Sequence, residues 1–147
     1  MYLNYEEYKN FGGTLDDAAF DMYEFEAASI IDYYTFNRLQ KGNGFDEQSS
    51  VVKECVKRCM YRLIVLMQTR DSVNAISGED GDGDSTATAG IASQSNDGVS
   101  ISYNVLSASE ASEKVENNIR TTIAMYLGAC RNSLGQKLLY RGIYADE

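Results

Sequence analysis

The sequence contains no histidine, no proline and no tryptophan. Without histidine the chain lacks the usual general base, the commonest nitrogen ligand for metals and any Ser-His-Asp or Cys-His catalytic pair. It also lacks an apolar run near the roughly 20 residues that a membrane span needs, the best stretch being residues 63–67. These absences argue against an enzyme, a metal centre and a membrane-spanning protein, and we expect no cofactor.

The start of the chain and its cysteines indicate the compartment. Residues 1–7 contain no basic region followed by an apolar core, so no signal peptide is predicted. The three cysteines, Cys55, Cys59 and Cys130, are an odd number in a chain long enough to need no disulfides. Reduced thiols therefore fit better than a secreted disulfide framework, and we expect a soluble protein of the cell interior.

Length and composition are those of one globular domain. The chain has 147 residues, of which 44% are hydrophobic and 24% charged, which leaves little room for two independent cores. We therefore expect a single domain over residues 1–147.

Two helices are predicted in the first third of the chain. Asn4 followed by Glu7 indicates a capping box, and this short helix should stop at Gly12-Gly13. Thr14 repeats the capping signal for a second helix that runs to about Asn37. Its apolar face recurs at helical spacing through Phe20, Tyr23, Ala27, Ile30, Ile31 and Tyr34.

Two longer helices are predicted further on. The third spans about Asp46 to Ser72, and its apolar stripe is spaced 4, 3, 4 and 3 residues through Val52, Val56, Cys59, Leu63 and Leu66. The last opens with Ser107 and Glu110 and ends near Gly135. Its apolar positions are Val115, Ile119, Ile123, Tyr126, Leu127 and Cys130.

Between these two helices the helical period disappears. Residues 77–98 are rich in Gly, Ser, Asp and Thr, which is typical of a loop. Asn96-Asp97-Gly98 then predicts a hairpin turn leading into a strand over Val99–Val105, with Ala87–Ile91 as a weaker partner strand. The predicted fold class is mainly α: a small bundle of about four helices, one β-hairpin inserted before the last long helix, and an extended C-terminal tail.

Charge is unevenly distributed along the chain. Thirteen basic and 22 acidic residues give a net charge of −9, which disfavours nucleic-acid binding unless the positive charges are segregated. Residues 48–70 carry five bases and one acid, between acidic segments on both sides. Two interpretations are open: compensation within the molecule, or contact with the acidic face of a neighbouring copy or partner. The residues concerned are Lys53, Lys57, Arg58 and Arg62.

Three patterns that could carry chemistry are incomplete. Asp80, Asp82 and Asp84 resemble the start of a calcium loop, but Ser85 stands where an EF-hand needs glycine and Ile91 where it needs glutamate. The cysteines could offer zinc at most three ligands, and small core residues are the better interpretation. Acidic residues are abundant, yet nothing indicates which of them would pair in a hydrolase.

The C-terminal tail is unusually apolar for a chain end. Leu138, Leu139, Tyr140, Ile143 and Tyr144 lie within seven residues, and a segment that merely frays has no reason to be so hydrophobic. The tail is therefore predicted either to fold back on its own domain as a final strand or cap, or to dock into another subunit.

Several stretches in order resemble the head–tail connector proteins of long-tailed, double-stranded DNA bacteriophages. Residues 1–9 with Gly12-Gly13-Thr-Leu-Asp16 resemble the opening of that family, and residues 28–39 resemble its second-helix segment. Residues 96–103, and then 126–144, resemble its hairpin and C-terminal end. The acidic loop at residues 77–90 is the least similar part, and none of these motifs is catalytic.

The resemblance implies a virion adaptor made in the host cytoplasm and placed at the neck between head and tail. Such proteins form a homo-oligomeric ring, typically of twelve copies, under the portal protein, extend the DNA channel after packaging and offer a surface to a stopper or tail-completion protein. DNA passes through without sequence-specific binding. The family's C-terminal segment generally reaches into the portal, so the candidate docking residues within 136–147 are Leu138, Leu139, Tyr140, Arg141, Ile143 and Tyr144.

The resemblance also places the region 77–98 toward the lumen or the next ring. Four of its acidic residues, Asp80, Asp82, Asp84 and Asp97, are the candidates that would keep DNA from adhering as it passes. Two alternatives remain. One is another neck ring protein, a stopper or tail-terminator, although those are usually richer in strand. The other is a small helical regulator or enzyme of the cytosol.

Overall fold

The computed structural model of the chain describes residues 1–41, 44–77, 93–96, 99–102 and 108–142, with side chains described over 1–41, 44–72 and 113–142. The described part is mainly helical, as the sequence predicts. It contains the four helices α1 (Tyr5–Asn10), α2 (Asp17–Thr35), α3 (Ser50–Ser77) and α4 (Ala108–Leu127). Of the helices in these ranges, none combines the length and apolar composition that crossing a membrane requires.

Helix α1 begins with the predicted capping box. The Asn4 side chain accepts a hydrogen bond from the Glu7 backbone N–H at 2.8 Å, and the Glu7 carboxylate accepts one from the Asn4 N–H at 3.2 Å. The helix ends before Gly12, whose φ of 95° lies in the left-handed region that glycine adopts without strain. A Cβ on Gly13 would lie only 2.2 Å from the Tyr8 ring, so this turn requires glycine for space.

Helix α2 starts two residues later than its predicted cap. Asp16, not Thr14, is the N-cap, and its carboxylate accepts a hydrogen bond from the Ala19 N–H at 2.8 Å. The Thr14 N–H instead donates to the Tyr8 hydroxyl at 3.2 Å. The prediction of Thr14 as cap was wrong because the buried Tyr8 side chain holds that backbone in the turn.

Helix α3 begins at Ser50 because residues Phe45–Glu47 form a separate 3-10 turn rather than its first turn. Four positions of the predicted stripe are buried, but Leu66 is only half-buried. Its place is taken by Met67, which is fully buried. The buried face of the helix comprises Val52, Val56, Cys59, Met60, Leu63, Ile64 and Met67.

Helix α4 ends at Leu127, two turns before the predicted end near Gly135. The chain then doubles back: the Asn132 N–H donates to the Gln136 carbonyl at 2.9 Å, and the Leu138 N–H donates to the Cys130 carbonyl at 3.1 Å. The sequence prediction was too long because the residues that stop the helix are held by distant parts of the chain, as shown below.

Two short strands, β1 (Ser93–Asn96) and β2 (Val99–Ser102), pair antiparallel, with Asn96 opposite Val99. The predicted turn residues Asp97 and Gly98, the predicted partner strand at residues 87–91 and the predicted strand end at Val105 lie outside the described residues. The hairpin in its predicted form, inserted before the last helix, therefore stays a prediction.

The chain divides into two compact units. The first comprises Met1–Val65 and Ile119–Glu147, and the second comprises Leu66–Asn118. Within the second unit, Met67 is buried and Arg70 forms an ion pair with Asp71 at 2.7 Å. The candidate site described below lies entirely in the first unit.

An aromatic cluster forms the centre of the first unit near α1. Tyr8 is fully buried, with its ring centroid 5.0 Å from that of Phe20 on α2 and 5.9 Å from that of Tyr61 on α3. Rings at these distances pack edge to face or offset. The contacts join the first three helices and fix where α2 and α3 place their outer faces.

A second anchor lies at the start of the chain. The Tyr2 N–H donates to the Glu24 carboxylate at 3.1 Å, and the Tyr2 hydroxyl donates to Asp32 while accepting from the Gln40 amide at 2.8 Å. Burial, followed by the neighbouring Asp32 carboxylate, raises the pKa of Tyr2 well above its ordinary value of 10. The hydroxyl therefore stays protonated and remains a donor.

Candidate functional site

The C-terminal segment, residues 136–142, is held against the first unit by Arg38. This arginine is only 2% exposed. Its guanidinium donates to the carbonyl oxygens of Lys137 at 3.3 Å, of Leu138 at 3.5 Å, of Tyr140, and of Gly142 at 2.8 Å. A planar guanidinium with five fixed N–H donors suits such a row of acceptors. One side chain thus fixes the course of the whole segment.

The end of α2 directs Arg38 inward. Phe36 and Asn37 both have left-handed backbone conformations, with φ of 54° and 56°. The Asn37 N–H donates a hydrogen bond to the Asp32 carbonyl at 2.9 Å, which caps the C-terminus of the helix. Glycine usually occupies the left-handed position of such a cap. A left-handed conformation in a non-glycine residue costs about 1 kcal/mol or more. The Phe36 ring lies 5.2 Å from the Arg38 guanidinium. This is a favourable cation–π contact at the same turn as the strained backbone.

Buried amide side chains anchor the turn that leads into the segment. Asn132 donates to the Arg38 carbonyl at 3.3 Å and accepts from the Gln136 N–H at 2.9 Å. Gln48, just ahead of α3, accepts from the Ser133 N–H at 2.8 Å. Because Asn132, Gln136 and Gln48 are all at most 5% exposed, losing any of these partners would leave a buried polar group unsatisfied.

The two predicted alternatives for the tail can be compared with this arrangement. Residues up to 142 pack on their own unit, and Leu138 is fully buried there. Leu139 is half-buried, Tyr140 is 49% exposed, and Arg141 is exposed. A partner that approaches from outside would therefore meet Tyr140 and Arg141 before any other candidate in the described segment. The remaining candidates, Ile143 and Tyr144, lie outside the described residues.

A cavity of about 690 Å³ opens beside the segment. Its apolar part includes Ile123 and Leu139, and its polar part includes Arg120, Arg141 and Asp32. The Tyr33, Tyr34 and Phe36 rings of α2 form another side. This volume lies in the range of protein recognition pockets, and aromatic walls with a few charged groups are typical of them. The cavity and the exposed part of the C-terminal segment form one continuous candidate docking surface.

Of the predicted basic residues on α3, two are paired within the molecule. Lys57 forms an ion pair with Glu7 on α1, and Arg58 pairs with Glu54 one turn earlier at 2.6 Å. Partial burial disfavours ionised Glu7, but the Lys57 ammonium and the Asn4 N–H outweigh it and hold the pKa of Glu7 below its ordinary value of 4.5. Internal compensation therefore accounts for Lys57 and Arg58. Lys53 is half-buried, and Arg62 is exposed.

The three cysteines are free thiols. Burial, with smaller contributions from the other two thiols, raises the pKa of Cys59 to about 12. Burial and a hydrogen bond with Cys55 raise the pKa of Cys130 to about 11. Such thiols stay protonated at neutral pH and are poor nucleophiles. Within the ranges where side chains are described, no group of three or more His, Cys, Asp or Glu residues is arranged to hold a metal ion.

Sequence analysis did not find the residues that organise this surface. Arg38, Asn132 and Gln48 are polar residues near predicted helix ends, where solvent exposure is the ordinary expectation. Their burial depends on partners about 85 to 104 residues away along the chain. The predicted lumen residues Asp80, Asp82, Asp84 and Asp97 lie outside the described residues.

Comparison with protein-family models, with curated proteins and with solved structures found no match to this chain.

Proposed function

We propose that this chain is a head–tail connector of a long-tailed, double-stranded DNA bacteriophage or prophage. In this role it acts as a structural virion protein with no catalytic activity. Copies form a ring, with twelve as the expected number, beneath the portal protein at the neck of the virion. The ring extends the DNA channel after packaging and presents a surface to a stopper or tail-completion protein.

The observation that carries the proposal is the C-terminal segment. An adaptor needs a rigid helical body with a recognition element fixed on its surface. The Arg38 guanidinium supplies the fixation through four carbonyl oxygens, and Tyr140 and Arg141 remain exposed beside the cavity. Tyrosine and arginine are enriched at protein interfaces. Preorganisation of this kind lowers the ordering cost that a flexible tail would incur on binding the portal.

The sequence resemblance adds the connector assignment to this geometry. The similar stretches include the capping box and Gly-Gly turn of α1 and the region from residue 126 to the C-terminal segment. The proposal further includes the predicted hairpin before the last helix and a single connector domain over residues 1–147.

The experiment that tests the proposal combines the purified chain with a cognate portal protein. Deleting residues 136–147 would be a poor test, because Gln136 and Leu138 are buried and Arg38 depends on this segment. A variant carrying Tyr140→Ser and Arg141→Glu changes only exposed side chains. We expect wild-type chain to form rings on the portal, visible by electron microscopy, and the double variant to bind at least about tenfold more weakly.

The matched control is Leu134→Ser with Lys114→Glu, which also removes one exposed apolar group and reverses one exposed positive charge. It should bind the portal as wild type does. Rings on a stopper or tail-terminator partner but not on the portal would support another neck ring protein. A chain that stays monomeric with every neck component would contradict both roles and favour a small helical regulator.

The predicted channel role of the acidic loop has its own test. Changing Asp80, Asp82 and Asp84 to asparagine removes three negative charges, so phosphates should adhere more strongly and genome release should slow. Unchanged release in a phage that carries the triple variant would remove the support for this role.

A further inference from the structure

The outer face of α2 carries a row of exposed residues that do not pack into the core of the first unit. Every fourth position from Asp21 points outward: Asp21, Phe25, Ser29 and Tyr33 are all exposed. Phe25 is 75% exposed and Tyr33 is 77% exposed, with Met22 at 63% beside them. Large apolar side chains clustered on one exposed helix face are typical of a protein interface. We call the four residues the α2 row.

The α2 row is acidic at its start. Between residues 10 and 37 there is no lysine or arginine, while Asp16, Asp17 and Asp21 lie at or near the start of the helix and are exposed. A surface that fits this row should therefore offer positive charge opposite the start of α2 and apolar area opposite its end.

The outer face of α3 offers such a surface. Val51, Glu54, Arg58 and Arg62 recur at spacings of 3, 4 and 4 residues, and all four are exposed. Val51 is 69% exposed. Two arginines against one glutamate leave this row positive, although Arg58 shares its charge with Glu54. We call these four residues the α3 row.

The two rows match in length and in chemical order. At 1.5 Å per residue, the α2 row spans about 18 Å and the α3 row about 16 Å. An antiparallel register places Asp21 by Arg62 and Phe25 by Arg58, giving an ion pair and a cation–π contact. The same register places Ser29 by Glu54 and Tyr33 by Val51. A parallel register would set Asp21 against Val51 and Phe25 against Glu54, which places each carboxylate against an apolar side chain.

We propose that the α2 row of one copy packs antiparallel on the α3 row of the next copy. Rows with a four-residue repeat pack by inserting the ridges of one helix into the grooves of the other. The two rows are different surfaces of one molecule, so the contact is heterologous, and repeating it around an axis generates a ring. The closure of that ring rests on the proposed connector function; the pairwise contact itself rests only on the two rows.

The test uses two charge reversals that each disable one row. Asp21→Lys disables the α2 row and leaves the α3 row intact, whereas Arg62→Glu does the opposite. Sedimentation velocity at low salt should show wild-type chain associating with rising concentration. Each single variant should associate about tenfold more weakly. Their equimolar mixture should recover association, because the α2 row of the Arg62→Glu variant meets the α3 row of the Asp21→Lys variant. The two altered rows then meet each other with reversed polarity.

The combined variant Asp21→Lys with Arg62→Glu restores an ion pair of reversed polarity and should associate as wild type does. Lys114→Glu is the matched control for a change of surface charge and should have no effect. Circular dichroism melts of all variants report whether each is folded. Single variants that associate like wild type, or a wild-type chain that stays monomeric at low salt and millimolar concentration, would overturn the proposal.

These outcomes separate this inference from the proposed function. Rings that form on the portal with Asp21→Lys as readily as with wild type would refute the row contact and leave the connector role standing. Association through the rows in a chain that no portal recruits would do the reverse.

Discussion

Arg38 and Arg58 are similar side chains in opposite situations. Each guanidinium lies over a phenylalanine ring, Arg38 at 5.2 Å from Phe36 and Arg58 at 5.5 Å from Phe11. Arg38 is 2% exposed and donates to four backbone carbonyls, whereas the Arg58 side chain is 58% exposed and pairs with one carboxylate a turn away. Burial, not the number of charges nearby, decides what each contributes to stability.

The largest effect should follow from removing the buried arginine. Arg38→Met keeps much of the side chain's volume but removes the guanidinium that donates to the carbonyls of the C-terminal segment, so we expect a loss of about 3 kcal/mol in the free energy of unfolding. Urea denaturation followed by circular dichroism measures it. Arg38→Lys should recover only part of this loss, because an ammonium lacks the planar array of donors. A loss below about 1 kcal/mol would contradict the conclusion that burial makes Arg38 contribute more to stability than Arg58.

Gln48 tests whether the buried amides act with Arg38. Gln48→Ala removes the acceptor for the Ser133 N–H, and we expect a loss of about 2 kcal/mol. In a double-mutant cycle with Arg38→Met, the two losses should be less than additive, since both variants release the turn and the C-terminal segment. Strict additivity would show that the two residues stabilise separate parts of the unit.

The Lys57–Glu7 pair lies between these extremes, since both side chains are partly exposed. Lys57→Met should cost about 0.7 kcal/mol at neutral pH. Because the folded chain holds the pKa of Glu7 below 4.5, this contribution is present above the ordinary pKa and is lost as the pH falls through the folded value. Thermal melts of both proteins from pH 7 to pH 3 should therefore converge. A difference that grows with acid would contradict this assignment.

The smallest effect should come from Arg58→Met. The pair with Glu54 is exposed and one turn apart, so its loss should change the free energy of unfolding by less than about 0.5 kcal/mol. The same denaturation measurement applies, with Arg38→Met as the reference. A loss close to that reference would mean that exposure does not explain the difference between the two arginines.

The comparison also shows which parts of the structure the sequence could predict. The capping box of Asn4 and Glu7 is a local pattern, because the atoms that form it lie three residues apart. Helix α4 ends at Leu127 rather than near Gly135 because Asn132 and Ser133 are held by Arg38 and Gln48, which are 94 and 85 residues away. The two partners of each hydrogen bond are too far apart in the sequence for a local pattern to relate them. The helical periodicity therefore predicted a helix that is too long.

The candidate site divides in the same way. The apolar character of the C-terminal segment was visible in the sequence. The structure leaves two of the candidate docking residues in it, Tyr140 and Arg141, exposed. The residue that holds this segment was not visible, because an arginine in a polar stretch after a helix carries no sign of burial. Leu66 and Met67 show a smaller version of the same limit: the stripe predicted Leu66 as buried, and the structure buries its neighbour.

The hydrogen bonds of Arg38 have a consequence for synthesis on the ribosome. The guanidinium is made about a hundred residues before the carbonyls that receive its hydrogen bonds. Domains emerge from the ribosome N-terminal part first. The first three helices are therefore synthesised before residues 137–142, and the Arg38 guanidinium lacks these carbonyl acceptors until that segment leaves the exit tunnel. A nascent chain stalled before them should remain sensitive to protease, and release of a few more residues should make it resistant in a single step.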